Sequence, residues 1–74
     1  MDKYMSFRLD WNRGVGPTWH HDFEMFSEEM AKEYALRLLQ SEPGMQQATR
    51  IQLWNMDAQT SLLYGTPEIQ VRLA

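Results

Sequence analysis

His20, Asp22 and Glu24 are the residues of this chain best suited by type to chemistry. Imidazoles and carboxylates bind metals and carry protons. In a strand, successive side chains point to opposite faces, so these three would share one face. Together they could serve a small metal-dependent enzyme. His21 would point the other way and could not hold the same ion as His20. No second cluster of ligands completes such a site. The three therefore read as polar positions on the wet face of a strand, and no metal, cofactor or catalytic residue is expected.

Other routes to catalysis fare no better. There is no cysteine. Ser6, Ser27, Ser41 and Ser61 stand in no nucleophile motif. Gly14-Val15-Gly16 has the flavour of a phosphate loop, but such loops open a helix so that amide groups face the anion. Here Pro17 and another alternating segment follow, which fits a hairpin turn better.

Binding has stronger signals. From Arg50 to Met56 the chain is apolar on both faces of a strand. Ile51 and Leu53 share one face; Trp54 and Met56 share the other. A single helix can cover only one face of a sheet, so Trp54 and Met56 need another neighbour or a partner. Trp and Met are enriched at the centres of protein interfaces. Tyr64 or Leu63 should join them: a two-residue turn at Asp57-Ala58-Gln59 would set Leu63 opposite Trp54, and a three-residue turn would set Tyr64 there. The alternative is that the C-terminal segment, through Ile69 and Val71, folds over this face. Glu24, Glu28, Glu29 and Glu33 form an acidic patch that could meet a basic surface on a partner. The expected partner-binding residues are thus Trp54, Met56, Tyr64, Glu24, Glu28 and Glu29.

The elements that must position these residues are legible from periodicity. Tyr4 to Trp11 alternates, with Met5, Phe7, Leu9 and Trp11 opposite Tyr4, Ser6, Arg8 and Asp10, as in a half-buried strand. Asn12 to Pro17 supplies turn chemistry. Thr18 to Met25 alternates again and should pair with the first strand. Ser27 is a good N-cap, and Glu28 and Glu29 follow where the helix dipole favours acids. Met30, Ala31, Tyr34, Ala35, Leu38 and Leu39 then make an apolar stripe at helical spacing. Glu28 with Lys32, and Glu33 with Arg37, are i,i+4 pairs on the wet side. Pro43 stops the helix. Ala48 to Met56 and Thr60 to Tyr64 read as two more strands, and Glu68 to Leu73 as a fifth strand or a tail.

The order ββαββ predicts an α+β fold. One antiparallel sheet of four to five strands should carry a single helix on one face. Met5, Phe7, Leu9, Ile51 and Leu53 should meet Ala31, Tyr34, Ala35 and Leu38.

Composition bounds the rest. Seventy-four residues make one domain. A domain this small buries roughly 60% of its unfolded surface, which leaves a thin stability margin. The 43% hydrophobic content is too high for a disordered chain. Absence of cysteine favours a reducing, cytoplasmic setting. No signal peptide or membrane span is expected. Ten acids against seven bases give a net charge of −3, which opposes general affinity for nucleic acid. Aromatic sheets that stack bases surround them with lysine and arginine, whereas here only Arg50 and Arg72 lie near.

The segment Phe26-Ser27-Glu28-Glu29-Met30-Ala31-Lys32-Glu33-Tyr34-Ala35 looks like the helix start of many small βαββ domains. With its size, mild acidity and one-helix-on-a-sheet pattern, the chain resembles small proteins encoded by bacteriophages and mobile elements, among them anti-CRISPR proteins. The resemblance is one of architecture across the whole chain. It implies a non-enzymatic inhibitor or adaptor that sterically blocks a surface of a larger host protein or ribonucleoprotein. A homodimer that packs its exposed sheet faces together is the alternative.

Overall fold

The computed structural model describes residues 3–67. Its elements are β1 (Met5–Asn12), β2 (Trp19–Met25), α1 (Glu28–Ser41), α2 (Pro43–Gln46), β3 (Arg50–Asn55) and β4 (Thr60–Gly65). The four strands form one antiparallel sheet in the order β2-β1-β3-β4. The fold is α+β of the ββαββ kind, as the alternation and the helical stripe require. The fifth strand or tail expected over Glu68–Leu73 lies outside the described residues, as does the alternative that Ile69 and Val71 fold over the Trp54 face.

β1 and β2 pair in a hairpin, with Phe7 opposite Phe23 and Arg8 opposite Asp22. The connecting turn holds Gly14 at φ +90° and Gly16 at φ +87°, a region where a side chain would be strained. Asn12 accepts the Gly14 amide proton at 3.1 Å through its side-chain oxygen and braces this turn. α1 then carries the chain from β2 past β1 to β3.

The helix starts where its cap dictates. Ser27 is extended at φ −144°, and its hydroxyl accepts the Met30 amide at 3.2 Å. Ala31, Ala35 and Leu39 form the buried line of α1, spaced four residues apart. They pack on Phe7, Leu9, Ile51 and Leu53 to make the core. Tyr34 and Leu38 flank this line and are half-buried. The expected contacts of the helix are therefore rotated slightly: Leu39, not Leu38, reaches the centre. Met30 lies one position before the line, about 100° round the helix, and is 45% exposed.

α1 ends at Ser41, before Pro43. The chain does not become a plain loop there. Pro43 occupies the first turn of the short α2, where its missing N–H is no loss. Met45 and Ala48 then enter the core. The Ala48 amide still bonds the Met45 carbonyl at 3.1 Å in the turn that closes α2, so β3 starts at Arg50 and not at Ala48.

The β3–β4 turn departs from both expected registers. Leu53 pairs with Leu63, Trp54 with Ser61, and a bulge leaves Leu62 as the extra residue between them. Tyr64 pairs with Gln52 instead. The cause is a longer turn, braced by Asn55. Its side-chain oxygen accepts the amides of Asp57 and Ala58 at 3.0 and 3.1 Å. Gln59 adopts φ +56° to bring the chain back.

Candidate functional site

The face of the sheet opposite α1 is a mixed polar surface with one large apolar group at its middle. β1 contributes Ser6, Arg8 and Asp10; β2 contributes His20, Asp22 and Glu24; β3 contributes Gln52 and Trp54; β4 contributes Ser61 and Tyr64. The register sets them in rows. Asp22, Arg8, Trp54 and Ser61 form one row, and His20, Asp10, Gln52 and Tyr64 the next.

Trp54 is half-buried. Its indole Nε1 donates to Asp10 Oδ2 at 3.1 Å, a diagonal link between β3 and β1. The bond fixes the ring's polar edge. Arg8, Asp10, Trp54, Met56 and Gln59 line an open hollow of about 310 Å³ beside the ring. Met56 is 40% exposed at its rim. Arg8 does not point freely into this hollow. It grips Asp22 with two bonds, Nε to Oδ1 at 2.7 Å and Nη2 to Oδ2 at 3.2 Å. Hydrogen bonding to the guanidinium holds the Asp22 carboxyl below its ordinary range, with the charge of Arg8 adding to the effect and desolvation opposing it. The same bond raises the Arg8 pKa.

Further across the face, Gln52 Nε2 donates to Ser61 Oγ at 3.1 Å. The Arg50 guanidinium sits 5.5 Å from the centre of the Tyr64 ring, within cation–π range.

The expected partner-binding residues thus fall into separate places. Trp54 and Met56 share the hollow. Tyr64 lies on the same face but on the edge strand β4. Glu24 lies on the opposite edge strand, across from Ser6. Glu28 and Glu29 belong to the helix layer. Glu28 is engaged within the fold, because its Oε2 accepts from Asn55 Nδ2 at 2.9 Å in place of the anticipated pairing with Lys32. The acidic patch is therefore not continuous with Trp54.

Arg8, Asp10 and Gln59 complete the hollow, and sequence reasoning does not single them out as binding residues. The alternation of β1 does place Arg8 and Asp10 on this face. Gln59 carries no such signal, since its position follows from the turn conformation.

The trio His20, Asp22 and Glu24 does share one face. Asp22 is committed to Arg8, however, and no group of three or more His, Cys, Asp or Glu able to hold a metal occurs among the described residues. His21 faces the helix, where its Nε2 lies 3.0 Å from the Tyr34 hydroxyl. Gly14 and Gly16 sit in a hairpin turn, with β2 following and no helix.

Among the described residues, no helix is long and apolar enough to cross a membrane. No protein-family model matches the chain, and the comparisons with curated proteins and with solved structures give no match either.

Proposed function

We propose that this chain is a non-enzymatic protein-binding module that engages a larger protein through the open sheet face centred on Trp54. One observation carries the reading. A tryptophan stands on the face opposite the core, anchored by its N–H, with an open hollow against its ring. Anchored aromatic side chains beside a hollow are what interface centres use, because little side-chain entropy remains to be lost on binding. Arg8, Asp10 and Asp22 around it form a polar rim that suits a partner with its own charged groups.

As a small inhibitor or adaptor, the module would act by occupying its partner's surface, which requires no reaction chemistry. The net charge of −3 favours a basic partner, such as the nucleic-acid-binding groove of a protein or ribonucleoprotein. An anti-CRISPR-like inhibitor would be one form of this behaviour. A second copy of the chain is the alternative occupant of the same face.

The test is capture of partners from bacterial lysate with the parent chain and with Trp54→Ala, followed by binding of the purified pair. Circular dichroism and urea melts establish that the variant is folded. Loss of a stoichiometric protein partner by a folded Trp54→Ala supports the reading. A partner held equally by both chains removes Trp54 from the interface. A dimer mass by light scattering, reverting to monomer in the variant, assigns the face to self-association.

A further inference from the structure

The helix side of the molecule holds a second hollow, of about 470 Å³, where the C-terminal end of α1 meets the sheet. Trp11, His21, Tyr34, Leu38, Glu42 and Met45 line it. We propose that this hollow is a binding site for an alkylammonium cation, such as a quaternary ammonium or an N-methylated lysine side chain.

Three features converge on a cationic guest. The first is the wall. Trp11, His21 and Tyr34 present aromatic rings, and Leu38 and Met45 add apolar surface, which suits an alkylated cation better than a hydrated metal ion. Cations are drawn to aromatic faces by the ring quadrupole, and aromatic cages for quaternary ammonium groups exploit this. The rings are held in place before any guest arrives. Trp11 stacks on Trp19 at 6.4 Å, Tyr34 meets Phe23 edge-on at 4.7 Å, and the Tyr34 hydroxyl is bonded to His21.

The second feature is the carboxylate. Glu42 is the one acidic residue in the lining and makes no side-chain capping bond. The ion pair found among the described residues is elsewhere, between Arg8 and Asp22. Glu42 has its backbone fixed: its N–H bonds the Leu38 carbonyl at 2.9 Å, and its own carbonyl accepts from Met45 and Gln46.

The third feature is the helix end. Glu42 is the C-cap of α1, whose last turn carries no basic residue. The negative pole of the helix is thus left without a cation of its own helix beside it. One cation of this chain already rests on the adjoining aromatic pair. The Arg13 guanidinium lies 5.5 Å from the centre of the Trp19 ring, and its Nη2 approaches within 3.8 Å of where a Cβ on Gly44 would stand. Gly44 also lines the hollow, so this guanidinium stands at its edge as a like charge that the rings and Glu42 must outweigh.

The experiment is an NMR titration of the intact chain with choline and with 3,3-dimethyl-1-butanol, its uncharged carbon isostere. Saturable shifts at the Trp11 indole and at Tyr34, with choline favoured by about tenfold over the isostere, are expected if the charge is read by the rings and the carboxylate. Glu42→Gln keeps the shape of an exposed side chain and should weaken choline several-fold while leaving the isostere unchanged. A peptide bearing trimethyllysine, compared with the same peptide unmodified, then distinguishes a protein-borne cation from a free one. Equal response to choline and isostere, absence of saturable shifts at these rings, or a Glu42→Gln variant that binds choline as the parent does would each overturn the proposal.

Discussion

Asn55 Nδ2 donates to Glu28 Oε2 at 2.9 Å, and this bond joins the β3–β4 turn to the first turn of the helix. Asn55 is the one buried polar residue among the described residues, at 3% exposure. Both ends of its amide are used. The oxygen accepts the Asp57 and Ala58 amides, and the nitrogen reaches Glu28 and lies 3.8 Å from Met5 Sδ. Asn55→Ala strips two turn amides and the Glu28 carboxylate of their partner. It should cost about 1–3 kcal/mol, read as a lower urea midpoint. Glu28→Gln retains an acceptor oxygen and should cost much less. Equal losses in the two variants would show that the bond matters through charge and not through satisfaction of the amide.

Leu39 and Leu38 provide a test of how the helix is seated. Leu39 is 1% exposed and belongs to the core, whereas Leu38 is half-buried on its flank. Leu39→Ala should destabilise by about 2–5 kcal/mol, enough to unfold much of a small domain. Leu38→Ala should cost clearly less. Thermal melts of both variants followed by circular dichroism decide between this seating and one centred on Leu38.

Asp22 should leave a mark on acid stability. Its carboxyl is held below its ordinary value of 3.8 by Arg8. A group with a depressed folded pKa favours folding above its unfolded pKa, and that contribution is lost as pH falls through the folded value. Asp22→Asn should therefore flatten the stability profile below about pH 4, where the unfolded carboxyl begins to protonate. The pair lies at the surface, so added salt should shrink the difference. Urea midpoints measured across the acid range, with and without salt, give the answer. An unchanged profile would mean that Arg8 is satisfied equally well by water.

Gln59 holds φ +56°, a left-handed conformation that strains a side chain. Left-handed backbone costs roughly 1–2 kcal/mol in a residue with a Cβ. Glycine relieves that cost and loses about 0.5–1 kcal/mol through its freer unfolded chain. Gln59→Gly should thus stabilise the fold by about 0.5–1 kcal/mol, visible as a raised melting temperature. A drop would show that the Gln59 side chain contributes more at the Trp54 hollow than its backbone strain takes away.

Much of the architecture is legible in the order of residues alone. Alternation marks a strand because one face is buried and the other wet, and β1 and β2 followed it within a residue or two at each end. Ser27, the acids after it and Pro43 bounded the helix, because capping and the loss of a backbone donor are local effects. The separation of Ile51 and Leu53 from Trp54 was equally local, since it depends only on the two-residue period of a strand.

Other features needed the whole fold. Strand order depends on which edges meet in space, and periodicity is the same for β2-β1-β3-β4 as for other arrangements. The register of Tyr64 was set by Asn55 side-chain bonds, a bulge at Leu62 and one left-handed residue, none of which alters the hydrophobic pattern. Asn55 drew no attention in the sequence, and both its burial and its bond to Glu28 come from the packing of the β3–β4 turn against α1. Likewise the sequence named Trp54 as a candidate and was silent on Asp10 as its anchor. Periodicity assigns a residue to a face through the geometry of its own segment. Which neighbour it meets on that face is decided by pairing between segments distant in the chain, and only the tertiary structure determines that.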